Sequence, residues 1–156
     1  SNNSKLEEND FLKSIPLCSI HLFIELDIKL YATFDCVVQL LQKFVHLEEL
    51  SIKLFIDYTD RCSFINGQKW KLFFTQYLPK LKIFHFFCRI DDRIDMNDTA
   101  QILSTFQTDF WLKEKQWEIF YTDFQPNNSV FHTKFYPLKY LTVGHNEIEC
   151  LTKNNN

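Results

Sequence analysis

Leu81-Lys82-Ile83-Phe84-His85-Phe86-Phe87-Cys88-Arg89-Ile90 is the stretch that decides the fold. Phe84, Phe86, Cys88 and Ile90 recur at every second position, the period of a strand with one apolar face. The opening apolar spacing of this stretch recurs at Leu47-x-x-Leu50-x-Ile52 and Leu138-x-x-Leu141-x-Val143, and Leu17-x-x-Ile20-x-Leu22 fits it as well. A repeated unit of this kind buries its apolar face by stacking on its neighbours.

The segments between these openings have a different period. Ile20, Leu22, Ile24, Leu26, Ile28 and Leu30 alternate as a first strand. Phe34, Val37, Val38, Leu41, Phe44 and Val45 then form the stripe of an amphipathic helix, with Thr33 placed to cap it. Leu50, Ile52, Leu54 and Ile56 make a second strand, and a polar loop over residues 57–67 follows. A second helix carries Trp70, Phe73, Phe74, Tyr77 and Leu78 between a capping Asn66 and a terminating Pro79. After the strand quoted first, an acidic loop at 91–98 leads into a third helix with Ile102, Leu103, Phe106 and Phe110. Strands are expected at 117–124, 130–136 and 138–143, the first two separated by the turn Gln125-Pro126-Asn127.

Strands alternating with helices predict a parallel sheet. The openings at 17, 47 and 81 lie 30 and 34 residues apart, longer than the roughly 20–29 residues of common leucine-rich repeats. The extra length accommodates a full helix per repeat. The expected fold is therefore α/β, an irregular leucine-rich-repeat-like solenoid with parallel strands and helices on the convex side. The rival is a doubly wound sheet. When that fold binds a nucleotide it carries a glycine-rich turn after its first strand, and the first glycine here is Gly67. Residues 1–16 are expected to be a loosely ordered N-terminal segment, 17–151 the repeat-like domain of a longer chain, and 152–156 a disordered tail.

Composition narrows the function. The 156 residues are 46% hydrophobic and 24% charged, ordinary for a folded domain, but 17% are aromatic. That points to a bulky core or an aromatic surface. A net charge of -3 provides no field to attract nucleic acid. No apolar run approaches the roughly 18 residues of a membrane span. Cys18, Cys36, Cys62, Cys88 and Cys150 are odd in number and contain no CxxC pair, which reads as reduced thiols in a cytoplasmic or nuclear protein.

Tests for chemistry fail. A calcium loop starting at Asp95 needs glycine and glutamate where Ala100 and Phe106 stand. His21, His46, His85, His132 and His145 form no HExxH or zinc-spaced set. The chain is thus expected not to be an enzyme, with no catalytic, cofactor-binding or metal-ligating residues and no cofactor. What remains is the strand face opposite the apolar one. Aligning the repeats puts His21, Ser51 and His85 in one row, Phe23, Lys53 and Phe87 in a second, and Glu25, Phe55 and Arg89 in a third. Aromatics mixed with Arg, His and charge are typical of interface hot spots. These nine residues are the expected partner-binding concave face.

The segment Asn66-Gly67-Gln68-Lys69-Trp70…Phe73…Tyr77-Leu78-Pro79-Lys80-Leu81-Lys82-Ile83-Phe84 resembles the helix-to-strand unit of divergent leucine-rich-repeat regions in F-box-type proteins. So does Phe106…Thr108-Asp109-Phe110-Trp111-Leu112…Lys115-Gln116-Trp117. The resemblance implies the substrate-binding part of a ubiquitin-ligase component. A cullin-type ligase adaptor would be bound by an F-box, a motif this chain does not contain. An intracellular scaffold or regulatory module with no ubiquitin link is the alternative, and an enzyme on a doubly wound sheet a third reading.

Overall fold

A computed structural model describes residues 16–28, 33–56, 61–91, 94–123 and 128–134. The alternating segments become strands β1 (His21–Ile28), β2 (Glu49–Ile56) and β3 (Ile83–Ile90). Leu22, Ile24, Leu50, Ile52, Leu54, Ile56, Phe84, Phe86, Cys88 and Ile90 are all buried, as their period-two spacing requires.

The helices start where their caps allow. Helix α1 (Phe34–Leu41) begins after Thr33, whose hydroxyl accepts from the Cys36 amide. It stops at Leu41, so Phe44 is buried from a turn and Val45 stays exposed. A short helix α2 (Arg61–Phe64) occupies part of the expected loop. Helix α3 (Gly67–Tyr77) is capped by Asn66, which accepts from the Gln68 and Lys69 amides. Helix α4 (Met96–Thr105) is capped by Asp95, which accepts from the Asp98 amide. Asp95 of the acidic loop is thus the cap of this helix.

Large rings make the core. Trp70 is fully buried and stacks on Phe74 with centroids 5.6 Å apart, and its Nε1 donates to the Phe64 carbonyl at 2.8 Å. The Phe110–Trp117 cluster packs there too. A π-helical turn at Phe110–Glu114 buries Phe110 and Trp111. Gln116 then adopts a left-handed φ of 56°, a conformation costing on the order of 1–3 kcal/mol. It turns the chain back so that Trp117 is buried, with Nε1 donating to the Lys82 carbonyl at 3.2 Å.

The last described strands are β4 (Ile119–Asp123) and β5 (Ser129–Thr133). The sheet order is β1-β2-β3-β5-β4. β1, β2 and β3 are parallel, whereas β5 is antiparallel to both β3 and β4. This overturns the expected solenoid of parallel strands: the protein has an open, mixed five-stranded α/β sheet. The reason is local. The connection between β4 and β5 is too short for a parallel crossover, so the two pair as a hairpin. The hairpin then docks on β3 through β5. The expected strand at 138–143, the N-terminal segment up to residue 15 and the C-terminal tail lie outside the described residues.

The helices' buried side chains form one hydrophobic cluster with the first face of the sheet. Phe23 and Val130 are also buried but lie outside that cluster. They belong to the sheet's second face, which carries the candidate site.

Candidate functional site

Strand alternation puts all nine predicted residues on this second face. Register decides which are neighbours. Ser51 pairs with His85, Lys53 with Phe87 and Phe55 with Arg89, as the alignment of β2 with β3 expects. β1 sits two residues away from its expected place. His21 pairs with Glu49, Phe23 with Ser51, and Glu25 with Lys53. The rows are therefore corrected to Phe23–Ser51–His85 and Glu25–Lys53–Phe87, with Phe55–Arg89 beyond them.

The shift brings a carboxylate beside an ammonium. Lys53 Nζ lies 3.9 Å from Glu25 Oε1, and the two side chains are 1% and 7% exposed. Burial lowers the Lys53 pKa, the Glu25 charge opposes this, and Arg89 adds to the lowering. Phe23 and Ser51 are buried as well. Four of the nine predicted residues, Phe23, Glu25, Ser51 and Lys53, are thus buried.

Two zones flank them. At one end, His21 Nδ1 donates to Glu49 Oε2 at 2.8 Å, and His85 Nε2 lies 3.8 Å from Glu49 Oε1. Burial lowers the His85 pKa, and Glu49 partly offsets this. All three side chains are partly accessible.

At the other end, Phe55 and Phe87 meet edge to face with centroids 6.4 Å apart. The Arg89 guanidinium stands over the Phe55 ring at 4.6 Å, and Lys53 Nζ lies 5.0 Å from the same ring. Phe55 and Phe87 are half-buried. Arg89 Nε is 3.3 Å from Asp91 Oδ1, and 39% of the Arg89 side chain is exposed. That Nε makes no hydrogen bond among the described residues.

Sequence reasoning missed three neighbours. Glu49 lies two residues before Ser51 on the same face, so strand alternation alone could have found it. His132 sits opposite Phe87 on β5, and Phe120 opposite His132 on β4, their rings 6.0 Å apart. Those two needed the antiparallel hairpin to be recognised.

Among the described residues no group of His, Cys, Asp or Glu is arranged to hold a metal ion. No described helix is long and apolar enough to cross a membrane. Comparison with known proteins found no matching family model, no matching curated protein and no matching solved structure.

Proposed function

We propose that this chain is a non-catalytic protein-recognition module that contacts its partner through the accessible parts of the second sheet face. Arg89 carries the reading. Its guanidinium lies over Phe55, its Nε is 3.3 Å from Asp91 Oδ1, and 39% of its side chain is exposed. A guanidinium held in place by an aromatic ring suits a partner carboxylate. Phe55 and Phe87 beside it supply the apolar contact typical of a binding centre. The His21–Glu49–His85 group forms the polar rim at the opposite end.

The resemblance to F-box-type proteins supports a specific role: holding a protein that a cullin-based ligase ubiquitinates. The free thiols of Cys18, Cys36 and Cys88 fit a reducing, cytoplasmic or nuclear setting. The test is affinity capture from source extract with this protein as bait, followed by mass spectrometry. Recovery of a cullin–adaptor complex supports the ligase role. Recovery of a defined partner without it leaves a recognition module acting as a scaffold or regulator.

A further inference from the structure

A second site lies on the opposite side of the sheet, in a cleft of about 440 Å³ between the N-terminal half of α4 and strand β4. This volume falls in the range of small-ligand pockets, roughly 300–1,000 Å³. Its walls are apolar: Ile94 and Leu103 are partly buried against the core, Ala100 and Met96 line the helix side, and the Tyr121 ring closes the strand side.

Three polar groups converge there. Asp95 and Asp123 stand at the rim, and both are exposed. Asp95 Oδ1 accepts from the Asp98 amide, and Asp123 Oδ1 accepts from the Tyr121 hydroxyl at 2.7 Å, so each carboxylate is held in place by one oxygen. Thr99 lines the cleft between them. It is only 7% exposed, and its hydroxyl has no hydrogen-bond partner among the described residues. A buried hydroxyl without a partner is costly, and Thr99 is one of the residues lining this cleft. No lysine, arginine or histidine is among the described lining residues.

We propose that this cleft binds a protonated amine or guanidinium carried on an apolar stem, the cation meeting Asp123 and Asp95 while the stem lies along Leu103, Ala100 and Tyr121. Such a group comes from a free small-molecule amine or from a lysine or arginine side chain of a peptide. The full chain, labelled with ¹⁵N, is titrated with phenethylamine, with its uncharged counterpart 2-phenylethanol, and with a capped pentapeptide containing one lysine.

The site is supported if either cation shifts the amides of Thr99, Ala100 and Tyr121 saturably, with 2-phenylethanol roughly tenfold weaker, the loss expected when a charge-assisted contact is removed. Tighter binding of phenethylamine identifies a small molecule as the source, and tighter binding of the peptide identifies a side chain. Ala100→Trp, which fills the cleft from an exposed helix position, abolishes the shifts. Asp123→Asn weakens them without filling anything, so a folding defect in one variant leaves the other informative. Absence of saturable shifts with both cations, equal binding of 2-phenylethanol, or binding unchanged in Ala100→Trp and Asp123→Asn overturns the proposal. None of these outcomes depends on the second sheet face.

Discussion

Replacing Gly67 with alanine will destabilise this protein, although alanine is the better helix former. The propensity gain is at most about 1 kcal/mol, and less at the first residue of a helix. The opposing effect is steric. A Cβ at Gly67 would overlap the Thr105 carbonyl and stand 2.9 Å from the Phe106 amide nitrogen. These are backbone atoms at the end of α4 and cannot swing aside as a side chain would. Relief requires α3 to move away from α4. That strains two hydrogen bonds, from the Gly67 amide to Thr105 Oγ1 at 2.8 Å and from Trp111 Nε1 to the Gly67 carbonyl at 3.1 Å. Each is worth about 0.5–1.5 kcal/mol, and overpacking alone costs about 1–3 kcal/mol. The expected net loss is about 1–3 kcal/mol. Urea unfolding at 25 °C should show a lower midpoint with an unchanged slope. An equal or higher midpoint would refute the claim that α3 packs this closely on α4.

Lys53→Met alone should destabilise by about 3 kcal/mol, because it removes the ammonium 3.9 Å from the buried Glu25 carboxylate. Adding Glu25→Leu should restore most of the loss, and a double-mutant cycle by thermal or urea unfolding checks the coupling. His85 provides a pH test. Its pKa is lowered in the folded state by burial, so below the ordinary histidine value the unfolded chain binds the proton more readily. Its contribution to stability is complete above that value and is lost as pH falls toward the folded pKa. Stability measured from pH 7.5 to 5 should decline, and His85→Gln should flatten part of that decline.

The sequence made the first three strands, the helix caps and the aromatic core legible. Period-two and helical patterns are local, and Thr33, Asn66 and the Asp/Asn-rich helix start at 95–98 act on their own backbone. The sheet's end was less visible. The patterns at 117–124 and 130–136 predict strands with a turn between them, yet the alternation of helices and strands along the rest of the chain favours a parallel solenoid over the hairpin.

The candidate face was half legible. Alternation assigned all nine residues to one side of the sheet, but it carries no register. The Leu17 opening placed β1 two residues out of step, which hid the Glu25–Lys53 pair and the His21–Glu49 contact. Burial is not a local property either: Phe23, Phe55 and Phe87 look alike in sequence, while only Phe23 is fully interior.

The most direct test measures the affinity of the captured partner for Phe55→Ala/Arg89→Ala against Leu72→Ser, a change at an exposed helix position. The account predicts a loss of about 30-fold or more for the first, the scale of a hot-spot truncation of about 2 kcal/mol, and no change for the second, with both proteins folded. Unchanged affinity in Phe55→Ala/Arg89→Ala would contradict the assignment of this face as the interface.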